Sequence, residues 1–226
     1  MSKPIVVAID GPAGSGKSTI ARRIANRLDF VYVDTGAMYR AVALWALRTG
    51  VDVSDMHRLE QLARSADIRF EAGSPRVFLN GEEVTDEIRT PEVADAASQV
   101  AAVPAVRRAL VEKQHRIGET ASIVMEGRDI GSVVFPEAKV KIFLDADPAV
   151  RAERRHKEMP NGNGIAEVAA QIAERDLRDR TRTEAPLVQA PDAVYIDTSR
   201  MTLDEVEELI LKVVRDRTSN GKEVAR

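Results

Sequence analysis

The chain has no cysteine, which excludes disulfide bridges and thiolate metal centres. Its histidines, His57, His115 and His156, are too scattered to form a metal-ligand spacing, so any metal is expected to arrive with a nucleotide. No stretch approaches the roughly 18 consecutive apolar residues of a membrane span. Nor is there an excess of one charge: the formal net charge is −3, with acidic and basic residues interleaved. A general role on nucleic acid or on a membrane surface therefore has no electrostatic support. Internal repeats and low-complexity tracts are missing too, and only the tail after about Thr218 reads as disordered. The chain enters an apolar strand almost at once, without a signal-like region, so a cytoplasmic location is expected.

The segment Gly11-Pro12-Ala13-Gly14-Ser15-Gly16-Lys17-Ser18-Thr19 fits the phosphate-loop pattern GxxxxGK[ST] at every fixed position. It follows the apolar run Ile5 to Ile9 and precedes a helical pattern, Ile20, Ile24 and Leu28. Glycines there let the backbone wrap a polyphosphate and aim successive N–H groups inward, at the positive end of the following helix. Lys17 supplies a mobile charge for the β and γ phosphates, and the Ser18 hydroxyl is the expected ligand of Mg²⁺. Asp10 and Asp34 are open candidates for holding that ion through water.

At 226 residues with 44% hydrophobic content, the chain is long enough for one α/β domain with attached subdomains. Short β-branched runs at Ile5 to Ile9, Phe30 to Val33, Ile123 to Met125, Val140 to Leu144 and Val194 to Ile196 alternate with helical patterns. They predict a five-stranded parallel sheet with helices on both faces, a P-loop fold of the α/β class. Asp147-Pro148 reads as the start of one helix, and Thr202 with Glu205 as a capping box on the last. Two segments interrupt the alternation. Residues 66–90 hold short strands around Asn80-Gly81, a hairpin signal, followed by a helix opening at Thr90-Pro91 and another after Pro104. Met159 to Gly164 clusters Pro, Asn and Gly between charged helices and reads as a lid tip. The expected division is a core of 1–62, 105–150 and 186–218, an insert of 63–104 and a lid of 151–185.

A phosphate loop alone does not choose among GTPase, ATPase motor, nucleotide sensor and small-molecule kinase. A GTPase needs a guanine-reading NKxD-type loop; the near match Asn26-Arg27-Leu28-Asp29 falls on the first helix, and no transport-ATPase signature is present. Arginines point instead to a second phosphate. Arg40, in Asp34-Thr35-Gly36-Ala37-Met38-Tyr39-Arg40, and Arg128, in Gly127-Arg128-Asp129, both follow strand ends, where open α/β sheets bind ligands. Arg175, Asp179 and Arg182 share one helix face at i, i+4 and i+7, with Arg178 beside them. Arg151, Arg154 and Arg155 follow Pro148 in the expected lid. Phosphoryl transfer is mostly positioning and electrostatics, so this pattern favours a kinase with a closing lid. Acceptors such as UMP, AMP or a small alcohol, and a non-catalytic nucleotide sensor, remain alternatives at this point.

Over nearly its whole length the chain resembles the bacterial cytidylate kinases, a family of nucleoside monophosphate kinases. The resemblance lies in AIDGPAGSGKST at the start, DTGAMYR at 34–40, the antiparallel insert, AASQVAAVPAVR at 96–107, EGRDIGSVVFP at 126–136 and RDLRDRTR at 175–182. It implies transfer from ATP, with Mg²⁺, to CMP or dCMP, by a monomer. By motif it implies that Thr35, Tyr39, Arg40 and Arg128 bind the acceptor, with Thr35, Arg40 and Arg128 at its phosphate. Ser98, Arg107 and Asp129 are implied at the cytosine edge. Arg175 and Asp179 are implied at the acceptor's phosphate and ribose, and Arg182 between the two phosphate groups. Lys17, Arg128, Arg175 and Arg182 are the implied catalytic set. Thr35 stands where some members carry serine, and the lid tip matches no family motif.

Overall fold

The computed structural model describes residues 3–71, 74–158 and 164–218. The lid tip expected at Met159 to Gly164 lies outside them except for Gly164. In chain order the elements are β1 (Val6–Asp10), α1 (Lys17–Leu28), β2 (Val31–Asp34), α2 (Thr35–Arg48) and α3 (Met56–Ser65). Then come β3 (Ile68–Phe70), β4 (Val77–Leu79), β5 (Glu82–Glu83), α4 (Pro91–Val100), α5 (Pro104–Thr120) and β6 (Ile123–Gly127). The chain closes with β7 (Val140–Asp145), α6 (Pro148–Lys157), α7 (Ile165–Thr181), β8 (Val194–Asp197) and α8 (Leu203–Thr218).

Five strands form a parallel sheet in the order β2-β6-β1-β7-β8. Val7, Ala8, Ile9, Ile123, Val124 and Met125 are completely buried, as expected for strands covered on both faces. On one face α1 and α8 pack through Ile20, Ile24, Val206 and Ile210. A second core joins α2, α3, α4 and α5 to the small antiparallel sheet β3-β4-β5, through Met38, Val42, Leu59, Leu79, Val100 and Leu110.

Local signals account for most boundaries. Asp34 caps α2 through Ala37 N–H, Thr90 caps α4 through Val93 N–H, and Asp147 caps α6 through Ala149 N–H. Pro91, Pro104 and Pro148 occupy first-turn positions, where the missing N–H costs nothing. Thr202 and Glu205 form the reciprocal capping box ahead of α8. Asn80 and Gly81, both at positive φ (52° and 87°), turn the chain between β4 and β5. Three elements among the described residues were not read from the sequence: α3, a 3₁₀ turn at Glu87–Arg89 and a π-helical turn at Ile130–Val134.

The register fixes the functional edge. Asp10 lies opposite Gly127, and Asp34 opposite Glu126, so β1, β2 and β6 release their chains side by side at their carboxyl ends. Leu110 is fully buried in the core that joins α2, α3, α4 and α5 to the small antiparallel sheet. Leu110→Ala is expected to destabilise the fold by about 2–5 kcal/mol, measured by urea unfolding.

Candidate active site

The phosphate loop spans the gap between β1 and α1. At Gly11, φ is 150° and an added Cβ would lie 1.9 Å from the Leu144 carbonyl oxygen, so no side chain fits there. Gly16, at φ 90°, is the left-handed residue from which α1 starts. Lys17 is buried and folds back over its own loop, its Nζ donating to the Pro12 carbonyl at 2.6 Å and to Ser15 Oγ at 3.3 Å. Burial, reinforced by Arg128 and Arg175, pulls its pKa down to about 7. A cation so destabilised is strongly disposed toward an anion. Ser18 sits exposed at the head of α1, and Thr19 beside it.

Across the edge lies an open cleft. Thr35, Tyr39 and Arg40 line it from α2, Ser98 from α4, Arg107 from α5, Arg128 and Asp129 from the turn after β6, and Arg175, Asp179 and Arg182 from α7 and its end. Five guanidinium groups thus face two carboxylates. The carboxylates are committed: Asp129 is paired with Arg107, and Asp179 accepts from Arg128 Nε at 2.8 Å. Burial opposes the charge on Asp179, yet Arg128, Arg175 and Arg182 together hold its pKa below the usual carboxylate value.

The arginines are under-compensated. Arg182 Nη2 is buried 3.3 Å from Asp129 Oδ1 but without hydrogen-bond alignment, while its Nε donates to the Ala185 carbonyl at 2.6 Å. Arg175 forms no ion pair among the described residues, unlike Arg107, Arg128 and Arg182. Burial, then Arg128, lowers its pKa to about 10. The guanidinium of Arg107 stacks over the Tyr39 ring, 5.6 Å from its centroid.

Several sequence-based assignments change. The Thr35 hydroxyl donates to the Glu126 carbonyl at 2.7 Å, which leaves its lone pairs as acceptors toward the cleft. Arg178 is exposed, toward Glu174 and Asp95, outside the cleft. Arg151 faces no substrate space: it is buried, donates to the Ala146 and Ala13 carbonyls and pairs with Asp176, which also accepts from Ala13 N–H at 3.3 Å. Arg154 binds Thr198 Oγ1 and its carbonyl, and Arg155 pairs with Glu158. The roots of α6 and α7 are thereby tied to the phosphate loop.

Asp10 and Asp34, the two candidates for Mg²⁺, are both engaged. Asp10 accepts two backbone N–H groups, and Asp34 caps α2 and pairs with Arg40 at 2.8 Å. Glu126 was not singled out in the sequence. Buried at the end of β6, it accepts from Tyr32 at 2.5 Å and lies beside Lys17 and Ser18. Burial, then Asp34, raises its pKa. Its signal was its place ahead of Gly127-Arg128-Asp129 at a strand end, next to the strand that feeds the phosphate loop.

A phosphate loop facing a second, arginine-rich cleft across one sheet edge defines a phosphate-loop kinase. The family model for cytidylate kinase matches residues 7–216. A cytidylate kinase of Solibacter usitatus is 60% identical over 226 residues, covering 98% of this chain and 97% of that protein. One of Pelotomaculum thermopropionicum is 51% identical over 222 residues, covering 96% of each. The chain belongs to the cytidylate kinase family. In fold it is also similar to the crystal structure of an uncharacterised protein from Eubacterium ventriosum, at a TM-score of 0.50 and 14% identity, over 94% of this chain and 99% of that one.

A polyphosphate beside Lys17 must raise its pKa from about 7, so nucleotide binding takes up protons near pH 8. Calorimetry of ATP binding in buffers of different ionisation enthalpy should register that uptake, and Lys17→Met should abolish it.

Proposed function

We propose that this protein transfers the terminal phosphoryl group of ATP to CMP and dCMP, giving ADP and the corresponding diphosphates. The observation that carries the reading is the cleft itself: several buried guanidinium groups, and carboxylates already neutralised by them. A monophosphate acceptor is largely dianionic near pH 7, its second pKa being about 6. Its attacking oxygen needs no base, only cations that hold it against another anion. An alcohol acceptor needs a carboxylate to take its proton, and Asp179, held low by three arginines, is poorly suited to that task.

In this reading Gly11 through Thr19 wrap the donor phosphates and Lys17 unfolds from Pro12 to meet them. Arg128, Arg175 and Arg182 neutralise charge along the transfer line, and Arg40 and Arg128 hold the acceptor phosphate. Ser98, Arg107 and Asp129 form the base-reading wall: an exocyclic amine wants an acceptor, and the cytosine O2 and N3 want donors. Thr35 and Asp179 offer acceptors to the ribose, with Tyr39 packed behind them. Ser18 and Glu126 would supply hard oxygens that suit Mg²⁺, and the ion would contribute neutralisation of charge on the donor phosphates.

The division supporting this chemistry is a core of 1–62, 105–150 and 186–218, an acceptor-side insert of 63–104 and a lid of 151–185, closing to exclude water as a competing acceptor. One chain supplies both cradles, so the reading requires only a monomer. Among the described residues no helix is long and apolar enough to cross a membrane, and we place the enzyme in the cytoplasm.

ADP release measured across CMP, dCMP, UMP, AMP and small alcohols should be fastest with CMP. Acceptor-independent nucleotide binding with no turnover on any of them would favour a sensor instead. Lys17→Ala is expected to lower kcat by at least about 100-fold. Asp129→Ala should chiefly raise KM for CMP, with KM for ATP little moved.

A further inference from the structure

Asp10 closes β1 and is bonded directly to Gly11, yet its carboxylate points away from a donor's role. It is 4% exposed, and its oxygens accept Ile130 N–H and Gly131 N–H, each at 2.7 Å. These two N–H groups open the π-helical turn that follows Arg128 and Asp129, a turn whose N-cap residue, Asp129, makes no side-chain capping bond. Without Asp10 both donors would be buried and unpaired. The contact is close on both sides: a Cβ added to Gly131 would lie 3.4 Å from Asp10 Oδ2 and 3.1 Å from the Lys141 side chain.

The placement costs the fold something. Burial pushes the Asp10 pKa up to about 6, against the backbone donors that favour its charge. What the buried carboxylate joins is specific: the strand that leads into the donor loop, and the turn that carries two acceptor-facing side chains. Asp10 and Gly127 are already opposite one another in register, so the carboxylate bonds extend the sheet pairing across the turn and set how Arg128 and Asp129 leave the edge.

We propose that Asp10 is a positioning residue for phosphoryl transfer, holding the Arg128–Asp129 turn in fixed relation to the phosphate loop. This rests on the kinase reading, since it assigns that turn to the acceptor. Loss of the bond removes a carboxylate that acts weakly on the Lys17 charge but leaves the loop's glycines and the Lys17 contacts to Pro12 and Ser15 in place, and it frees the acceptor side, where a displacement of about 1 Å can cost on the order of 100-fold.

The test is Asp10→Asn, which keeps the shape but replaces one acceptor by an NH₂ group. Kinetics with ATP and CMP would be measured beside calorimetric binding of ADP with no acceptor present. The expected result is kcat/KM for CMP lowered about 10- to 100-fold, ADP affinity changed far less, and a modestly lowered melting temperature, since one buried backbone N–H loses its acceptor. Asp10→Ser, which is smaller and uncharged, should shift the same acceptor parameters and serves if the asparagine variant does not fold. Equal losses toward ADP and CMP, or a CMP constant that does not move in a folded variant, would overturn the positioning role. Wild-type protein that phosphorylates no CMP would instead overturn the kinase reading.

Discussion

Repulsion among guanidinium groups is the constraint on which this molecule is organised. Arg107, Arg128, Arg175 and Arg182 crowd a cleft beside Lys17, where burial strengthens every charge–charge interaction. Asp129 and Asp179 relieve part of that repulsion by pairing with three of the arginines, which also keeps those arginines aimed inward. Compensation stops short of neutrality. Burial first, and then the neighbouring guanidinium groups, lower the pKa values of Lys17, Arg175 and Arg182, and in the proposed reaction that uncompensated charge favours the entry of anionic ligands.

Such a cleft demands a rigid frame, because unligated charges of one sign push their supports apart. The frame is the edge where β1, β2 and β6 end in register. Polar bonds reinforce it: Asp10 to the turn after β6, Asp34 to the first turn of α2, and the Arg151–Asp176 pair to both backbone groups of Ala13. Each is a buried or half-buried carboxylate whose desolvation is offset by donors brought from another element. Stability and site geometry therefore draw on the same few acids, and hydrogen bonds join the phosphate loop and the end of β1 to the turn after β6 and to α6 and α7.

Much of the architecture was legible because its signals are local. The phosphate loop is contiguous, the strands are short β-branched runs, and Asp147-Pro148, Thr90-Pro91, Asn80-Gly81 and the Thr202–Glu205 box mark ends through interactions within a few residues. Helix α3 was missed because most of its residues are polar and only Leu59 and Ala63 are fully buried, with Leu62 packed partly against the same core. The π-helical turn was invisible for a different reason: its first donors are satisfied by Asp10, 120 residues away.

Among the site residues, the sequence by itself determined which groups could serve a phosphate: the loop glycines, Lys17 and an abundance of arginine near strand ends. Their partners were decided only in three dimensions. Arg151 and Arg175 both fall in the expected lid, though only Arg175 matched a family motif; Arg151 is neutralised by Asp176 beneath the phosphate loop, and Arg175 is left facing the cleft. Asp10, Asp34 and Glu126 are equivalent as carboxylates at strand ends; the tertiary fold gives the first to backbone donors, the second to a helix cap, and leaves the third beside Ser18. Motifs record what a side chain can do chemically, whereas ion pairing and desolvation depend on what packs within a few ångströms of it, and those neighbours come from distant parts of the chain.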